Sequence, residues 1–205
     1  MFDVQEKRKA WKESIKPEIA ERLVFLDESG VNIDLTRLYG RAPSSQRAVE
    51  HAPLNTPRTT TVLSSIRLDG EKAFTTYQGG TMGERFVQYL KEILFPTLRS
   101  GDIVVMDNMR SHHVKAVREI LEGKGMKALY LPPYSPDLNP IEKMWSKMKA
   151  ILRGWRFVAW SSFLILSERS SLMFHLLTAL IGSLPLPIVS IFDDCYSYKS
   201  KNIIK

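Results

Sequence analysis

The sequence has a single cysteine, Cys195, and only four histidines among its 205 residues. One cysteine excludes an intrachain disulfide framework and a cysteine-rich zinc module, and it suits a reducing compartment. The N-terminal stretch MFDVQEKRKAWKESIKPEIAERL is charged throughout and lacks the apolar core of an export signal, so a cytoplasmic protein is expected. Internal repeats of fixed period are also absent. Acidic residues are the scarcer charge, 22 against 29 Lys and Arg, and the net charge of +7 favours a polyanionic partner such as nucleic acid over an acidic small molecule. The remaining composition, 44% hydrophobic and 25% charged, is that of an ordinary globular chain with one principal domain.

Along the chain, residues 4–14 read as a short charged helix. ERLVFLDESGVNI holds the apolar run Leu23–Leu26, a buried strand with Asp27 near its end. Residues 59–68 and 72–78 are rich in β-branched and aromatic side chains around LDGEK and predict a hairpin. TMGERFVQYLKEILFPTLRS turns to helical spacing, with Phe86, Leu90, Ile93 and Leu94 on one side. GDIVVMDN is a second short buried strand ending in a carboxylate, and Val114, Val117, Ile120 and Leu121 mark a helix that closes on glycine. MKALYLPP is a third buried strand, and a helix follows from about Pro140 to Leu152. The order strand, hairpin, helix, strand, helix, strand, helix predicts an α/β fold: a mixed sheet, antiparallel strands first and parallel strands after, flanked by helices on both faces.

Asp27 and Asp107 fall at the carboxyl ends of central strands, where open α/β sheets present their ligand crevice. Neighbouring strands lie roughly 5 Å apart, so two such carboxylates can share a divalent cation. Glu142 stands at the start of the last helix, on a face with Ser146, Lys149 and Arg153, while Ile141, Met144, Trp145, Met148 and Leu152 point inward. With Asn139 as N-cap and Pro140 at the first helical position, Glu142 also completes a capping box. Oxygen donors without histidine or cysteine suit Mg²⁺ or Mn²⁺ rather than zinc. Two such ions about 3.5–4 Å apart serve phosphodiester chemistry. Each aspartate alone also reads as a turn former. Trp145 continues the apolar stripe and reads as core rather than as a base-stacking platform. Arg37, Arg41, Arg47 and Arg58 lie in a proline-punctuated loop that either clamps phosphates or is simply solvated.

LVFLDESG, VVMDNMRSHHVKAV and LPPYSPDLNPIEKMW together resemble the three catalytic blocks of the mariner-type DDE transposases, in the branch found in bacterial insertion sequences. Between Asp107 and Glu142 lie the 34 residues 108–141, an interval typical of that superfamily. The segments YGRAPSSQRA and TTTVLSSI are similar to family segments as well, and the likeness runs over roughly residues 5–156. This resemblance implies an RNase H-like fold. It also implies that Asp27, Asp107 and Glu142 are both the catalytic residues and the ligands of Mg²⁺ or Mn²⁺. Asn108 and His112 match polar positions after the second aspartate. His112 would position DNA or the attacking hydroxyl, or else is a helix-start histidine satisfied by backbone. Glu28 follows the family pattern too, but points to the other side of its strand and is not counted as a ligand. Where Arg41 stands, family members often have tryptophan. With Asn108 and His112, the residues Arg41, Arg47, Lys149 and Arg153 complete the expected DNA contacts.

The implied activity is that of a transposase catalytic domain, performing metal-dependent DNA cleavage and strand transfer on double-stranded DNA, as a homo-oligomer on that DNA and in association with the nucleoid. Two alternatives stand beside it: an RNase H-like nuclease or resolvase that does not join strands, and an inactive DNA-binding relic. We divide the chain into an N-terminal charged helix and linker (1–20), the catalytic domain (21–153) and an atypical apolar tail (154–205). The family's N-terminal helix-turn-helix is not recognisable, and a separate product could supply it. The tail has no Asp, Glu, Lys or Arg between Ser170 and Phe192. Its prolines Pro185 and Pro187 argue against a membrane span, and a shift of reading frame near Gly154 to Phe157 is the expectation for it instead.

Overall fold

A run that is apolar at every position cannot hide on one face of a strand, and the first such run sets the layering of this molecule. In strand β1, Leu23–Asn32, Leu23 and Phe25 enter one hydrophobic cluster while Val24 and Leu26 enter a second on the opposite face. The computed structural model describes residues 2–32, 35–51, 59–70, 72–109 and 115–154. The readings made for Val114, His112, Arg58 and the tail beyond residue 154 fall outside these residues.

Five strands form one sheet in the order β3-β2-β1-β4-β5. β2 (Thr59–Arg67) and β3 (Lys72–Gln78) make the expected hairpin. β1 pairs antiparallel with β2, and β2 with β3. The hairpin turn places Gly70 at φ 88, a left-handed backbone that glycine adopts without steric cost. β4 (Ile103–Met106) and β5 (Lys127–Tyr130) are parallel to β1. Helices cover both faces, as predicted. On one face α1 (Phe2–Ser14) and α4 (Ile141–Gly154) contribute Trp11, Met144, Trp145 and Met148 to the first cluster, which Ile15 just beyond α1 also joins. On the other, α2 (Gly83–Tyr89) and α3 (Lys115–Gly123) contribute Phe86, Tyr89, Val117 and Leu121 to the second.

Four local readings differ from the structure, each for a physical reason. β1 does not stop near Asp27 but continues to Asn32, because β2 pairs with it along the whole stretch, from Val24↔Arg67 to Asn32↔Thr59. Cross-strand hydrogen bonds hold Ser29 and Gly30 extended where composition alone signals an end. Ile93 lies on the exposed side of its helix, since α2 continues as a π-helical stretch over Leu90–Leu94. That wider winding keeps Leu94 in line with Leu90 and swings Ile93 outward. β5 is half-buried rather than buried, having among the described residues a strand neighbour only on the β4 side. Finally, the capping box does not form: α4 begins at Ile141, and Asn139 Oδ1 is buried without a hydrogen-bond partner among the described residues.

Candidate active site

β1 and β4 lie side by side with Leu23 opposite Ile103 and Phe25 opposite Val105. Carried two residues further, that register sets Asp27 level with Asp107, the first residue beyond β4. Asp27 sits on the face covered by α4, where Trp145 Nε1 donates to its Oδ2 at 3.0 Å. Glu142 stands in the first turn of the same helix, one turn ahead of Trp145. Asp27, Asp107 and Glu142 line a single cleft of about 350 Å³, whose far wall is the loop 131–136.

The three carboxylates differ in setting. Asp27 is buried, at 7% exposure, Asp107 is half-buried and Glu142 is exposed. Asp107 Oδ1 accepts the Met109 backbone N–H at 3.0 Å, a local turn that orients it just after the strand. Burial pushes the Asp27 carboxyl up to about 7, and the negative charge of Glu142, then that of Asp107, adds to the rise. The Glu28 backbone N–H and the Trp145 indole oppose it by donating to the ionised form. Glu28 itself lies on the other face, where its charge, after burial, raises the Tyr77 hydroxyl pKa.

A divalent cation fits this donor set. The groups are hard oxygens, and a buried carboxylate whose ionisation is disfavoured by burial and by two like charges is relieved by a cation. The carboxylates share the cleft without being drawn together: among the described residues no group of three or more His, Cys, Asp or Glu is arranged to hold an ion.

Of the other expected site residues, Asn108 also lines the cleft, and its Nδ2 donates to the Leu131 carbonyl at 2.7 Å. This bond ties the end of β4 to the chain leaving β5. Arg41 and Arg47 are exposed in the stretch 35–51, and Lys149 and Arg153 are half-buried on α4. None of these four lines the cleft. His112 falls outside the described residues.

Two features escaped the sequence reading. Trp145 is core, as expected, at 2% exposure, yet it also orients Asp27. The available signal was chemical: a buried indole N–H needs an acceptor, and Glu142 lies three residues earlier on the helix. The second is Arg8 of α1, which reaches the loop forming the cleft wall and bonds to Tyr134, Ser135 and Asp137. No local pattern announces a contact over more than a hundred residues.

Comparison with known proteins bears on the fold. The fold is that of the Mos1 mariner transposase catalytic domain. The Mos1 paired-end complex with Mn superposes with a TM-score of 0.74 at 19% identity, over 96% of this chain and 61% of that one. The Mos1 paired-end complex with left transposon end gives 0.73 at 19% identity, covering 96% and 60%. The isolated Mos1 catalytic domain with Raltegravir and Mn gives 0.65 at 16% identity, covering 96% and 92%. The chain thus spans about 60% of the longer Mos1 chains and nearly all of the catalytic domain. The five-stranded mixed sheet with its flanking helices is accordingly RNase H-like. A search of curated proteins returns no match. The DDE superfamily endonuclease family matches residues 22–163, which begins later than the expected likeness from residue 5 and extends past residue 156. With that match covering more than half of its length, the chain belongs to the DDE superfamily endonucleases.

Proposed function

We propose that this chain is the catalytic unit of a transposase of the insertion-sequence type, cutting double-stranded DNA at element ends and joining the freed 3′-hydroxyl to target DNA. The observation that carries the reading is the convergence of Asp27, in the middle of β1, Asp107, just beyond β4, and Glu142, in the first turn of α4, on one cleft in a chain of this family. The structural relatives support it: they include Mos1 paired-end complexes with Mn and with Mg, and a strand transfer complex. A net charge of +7 suits a phosphodiester substrate.

In this reading Asp27, Asp107 and Glu142 would hold Mg²⁺ or Mn²⁺. When bound, such ions neutralise the scissile phosphate and make a water or a hydroxyl nucleophilic near neutral pH. The chain's own groups prepare the site. Trp145 fixes Asp27 Oδ2 by its indole N–H, and the Met109 backbone N–H fixes Asp107 Oδ1. Glu142 is exposed, and its side chain would have to turn toward the other two carboxylates to share an ion with them. At neutral pH Asp27, pushed up to about 7, carries a proton part of the time, so loading of the site competes with protonation. Arg41, Arg47, Lys149 and Arg153 remain our assignment for phosphate contacts outside the cleft, on a homo-oligomer bound to DNA.

Glu142→Gln tests the reading. The variant should lose metal-dependent strand cleavage by about 10³-fold while keeping most of its DNA affinity. Cleavage at wild-type rate would remove Glu142 from the chemistry. Joining of a labelled 3′ end in Mg²⁺ separates a transposase from a nuclease, which would cut and stop.

A further inference from the structure

One guanidinium joins the N-terminal helix α1 to the wall of the cleft. Arg8 Nη1 donates to the Tyr134 carbonyl at 3.1 Å, to Ser135 Oγ at 2.9 Å and to Asp137 Oδ1 at 2.9 Å, while Nη2 donates to Asp137 Oδ2 at 2.5 Å. The pairing with Asp137 is bidentate, the geometry in which arginine is strongest and which lysine cannot copy. Ser135 Oγ in turn donates to the Pro133 carbonyl at 3.1 Å, so the contact extends through the turn.

The segment held in this way needs holding. Tyr134 has φ 55, a left-handed backbone that a bulky non-glycine residue adopts at a cost, and the residue is 89% exposed with little packing of its own. Pro133, Tyr134, Ser135 and Pro136 line the cleft that contains Asp27, Asp107 and Glu142. The same segment leads through a short 3₁₀ turn, Pro136–Leu138, into α4, which carries both Glu142 and Trp145. At its other end Arg8 is anchored, because α1 seats Trp11, one turn further along the helix, in the core cluster shared with Trp145 and Met148. The mutual effect is visible in both partners: Asp137 raises the Arg8 pKa and Arg8 lowers that of Asp137.

The geometry points to Arg8 as a positioning residue: from α1 it locks the 133–137 turn, and so fixes where a DNA strand lies relative to the cleft carboxylates. This inference rests on the nucleolytic reading for its consequence but not for its mechanical half. Arg8 touches neither the carboxylates nor the scissile bond, so its effect should appear in accuracy and turnover rather than in metal binding.

The test compares the intact chain with Arg8→Gln, Arg8→Lys and the exchanged pair Arg8→Asp/Asp137→Arg. Backbone hydrogen exchange across residues 131–139 should rise about tenfold in Arg8→Gln, fall only partly back in Arg8→Lys, and recover substantially in the exchanged pair. On end-labelled duplex DNA with Mn²⁺, Arg8→Gln should cut at scattered neighbouring phosphodiesters with kcat lowered about tenfold and KM nearly unchanged. Unaltered exchange in the 131–139 segment overturns the proposal, and so does a loosened turn that leaves cut position and kcat at wild-type values. If the wild-type chain cuts nothing, the functional reading fails on its own, and the exchange measurement alone decides the role of Arg8. Should Arg8→Gln unfold, the exchanged pair carries the test: a folded exchanged pair with a loose turn overturns the proposal.

Discussion

Beside the beginning of β1 and β4, Arg67 at the end of β2 and Asp102 bury a matched pair of charges, whereas a few residues further along, Asp27 and Asp107, with Glu142 from α4, gather charge of one sign. Arg67 and Asp102 are 2% and 3% exposed, with Arg67 Nη1 to Asp102 Oδ1 at 3.1 Å and a second, shorter contact through Nη2. The Thr97 carbonyl accepts from Arg67, and the Arg99 backbone N–H donates to Asp102, so the pair sits in a dense hydrogen-bond network. Asp27 lies only three positions along β1 from Val24, the partner of Arg67 in the sheet, or roughly 10 Å at strand spacing. At that distance Asp27 is opposed by its own neighbours. One end spends its polar groups on holding strands together. The other keeps a destabilising arrangement, which a stable fold retains when a ligand or a reaction requires it.

The sharpest way to break this comparison acts on the paired end. Asp102→Ala leaves Arg67 buried beside a missing partner and should cost roughly 3–5 kcal/mol of stability, read by denaturant unfolding. Replacing both members with apolar residues of similar volume should recover most of that loss, because the pair's net contribution is small once desolvation is counted. At the carboxylate end the signs reverse. Asp27→Asn should lower metal-dependent cleavage by about 10²–10³-fold and yet raise unfolding stability at pH 8 in the absence of metal. A loss of stability there would show that Asp27 is held for the fold, and the contrast between the two ends would collapse.

The pH dependence of stability gives a second measure of the same asymmetry. Asp27 has its carboxyl raised from the ordinary 3.8 to about 7, so in the window between these values the folded chain keeps a proton that the unfolded chain has lost. Its contribution is complete below the lower value and disappears as pH rises through the upper one, so metal-free stability should fall across that window. In Asp27→Asn the corresponding slope should flatten. Adding Mg²⁺ at pH 8 should return stability to the wild-type chain and not to the variant.

These contrasts also mark what the sequence could and could not reveal. The place of Asp107 just beyond a strand was legible because Ile103–Met106 is a short apolar run, and a run buried on both faces must be central in the sheet. The inward face of α4 was equally plain from its spacing, and Ile141, Met144, Trp145, Met148 and Leu152 are all buried. That Asp27 and Asp107 stand level depends on the register of parallel neighbours 80 residues apart, Leu23 with Ile103, which no local pattern encodes. The π-helical stretch that turns Ile93 outward was invisible for the opposite reason: its sequence reads as an ordinary helix, and the winding is chosen by packing. Interactions between distant segments, such as Trp145 with Asp27 and Arg8 with Asp137, belong to the fold as a whole.

The smallest expected effect isolates one bond between the stable layer and the reactive one. Trp145→Phe keeps a large aromatic side chain in the core but removes the indole N–H that Asp27 Oδ2 accepts at 3.0 Å. Because that bond favours the ionised carboxylate, its loss should raise the Asp27 pKa further above about 7 and move the pH dependence of metal loading to higher pH. The stability change should be about 1–2 kcal/mol, from the lost contact to a charged acceptor and the smaller ring. At acid pH, where Asp27 is protonated in either protein, the charge-dependent part of that difference should vanish and leave only the packing part. A shift in pKa without a matching shift in metal loading would detach Asp27 from the cation, leaving Trp145 as a core residue that happens to satisfy a buried carboxyl.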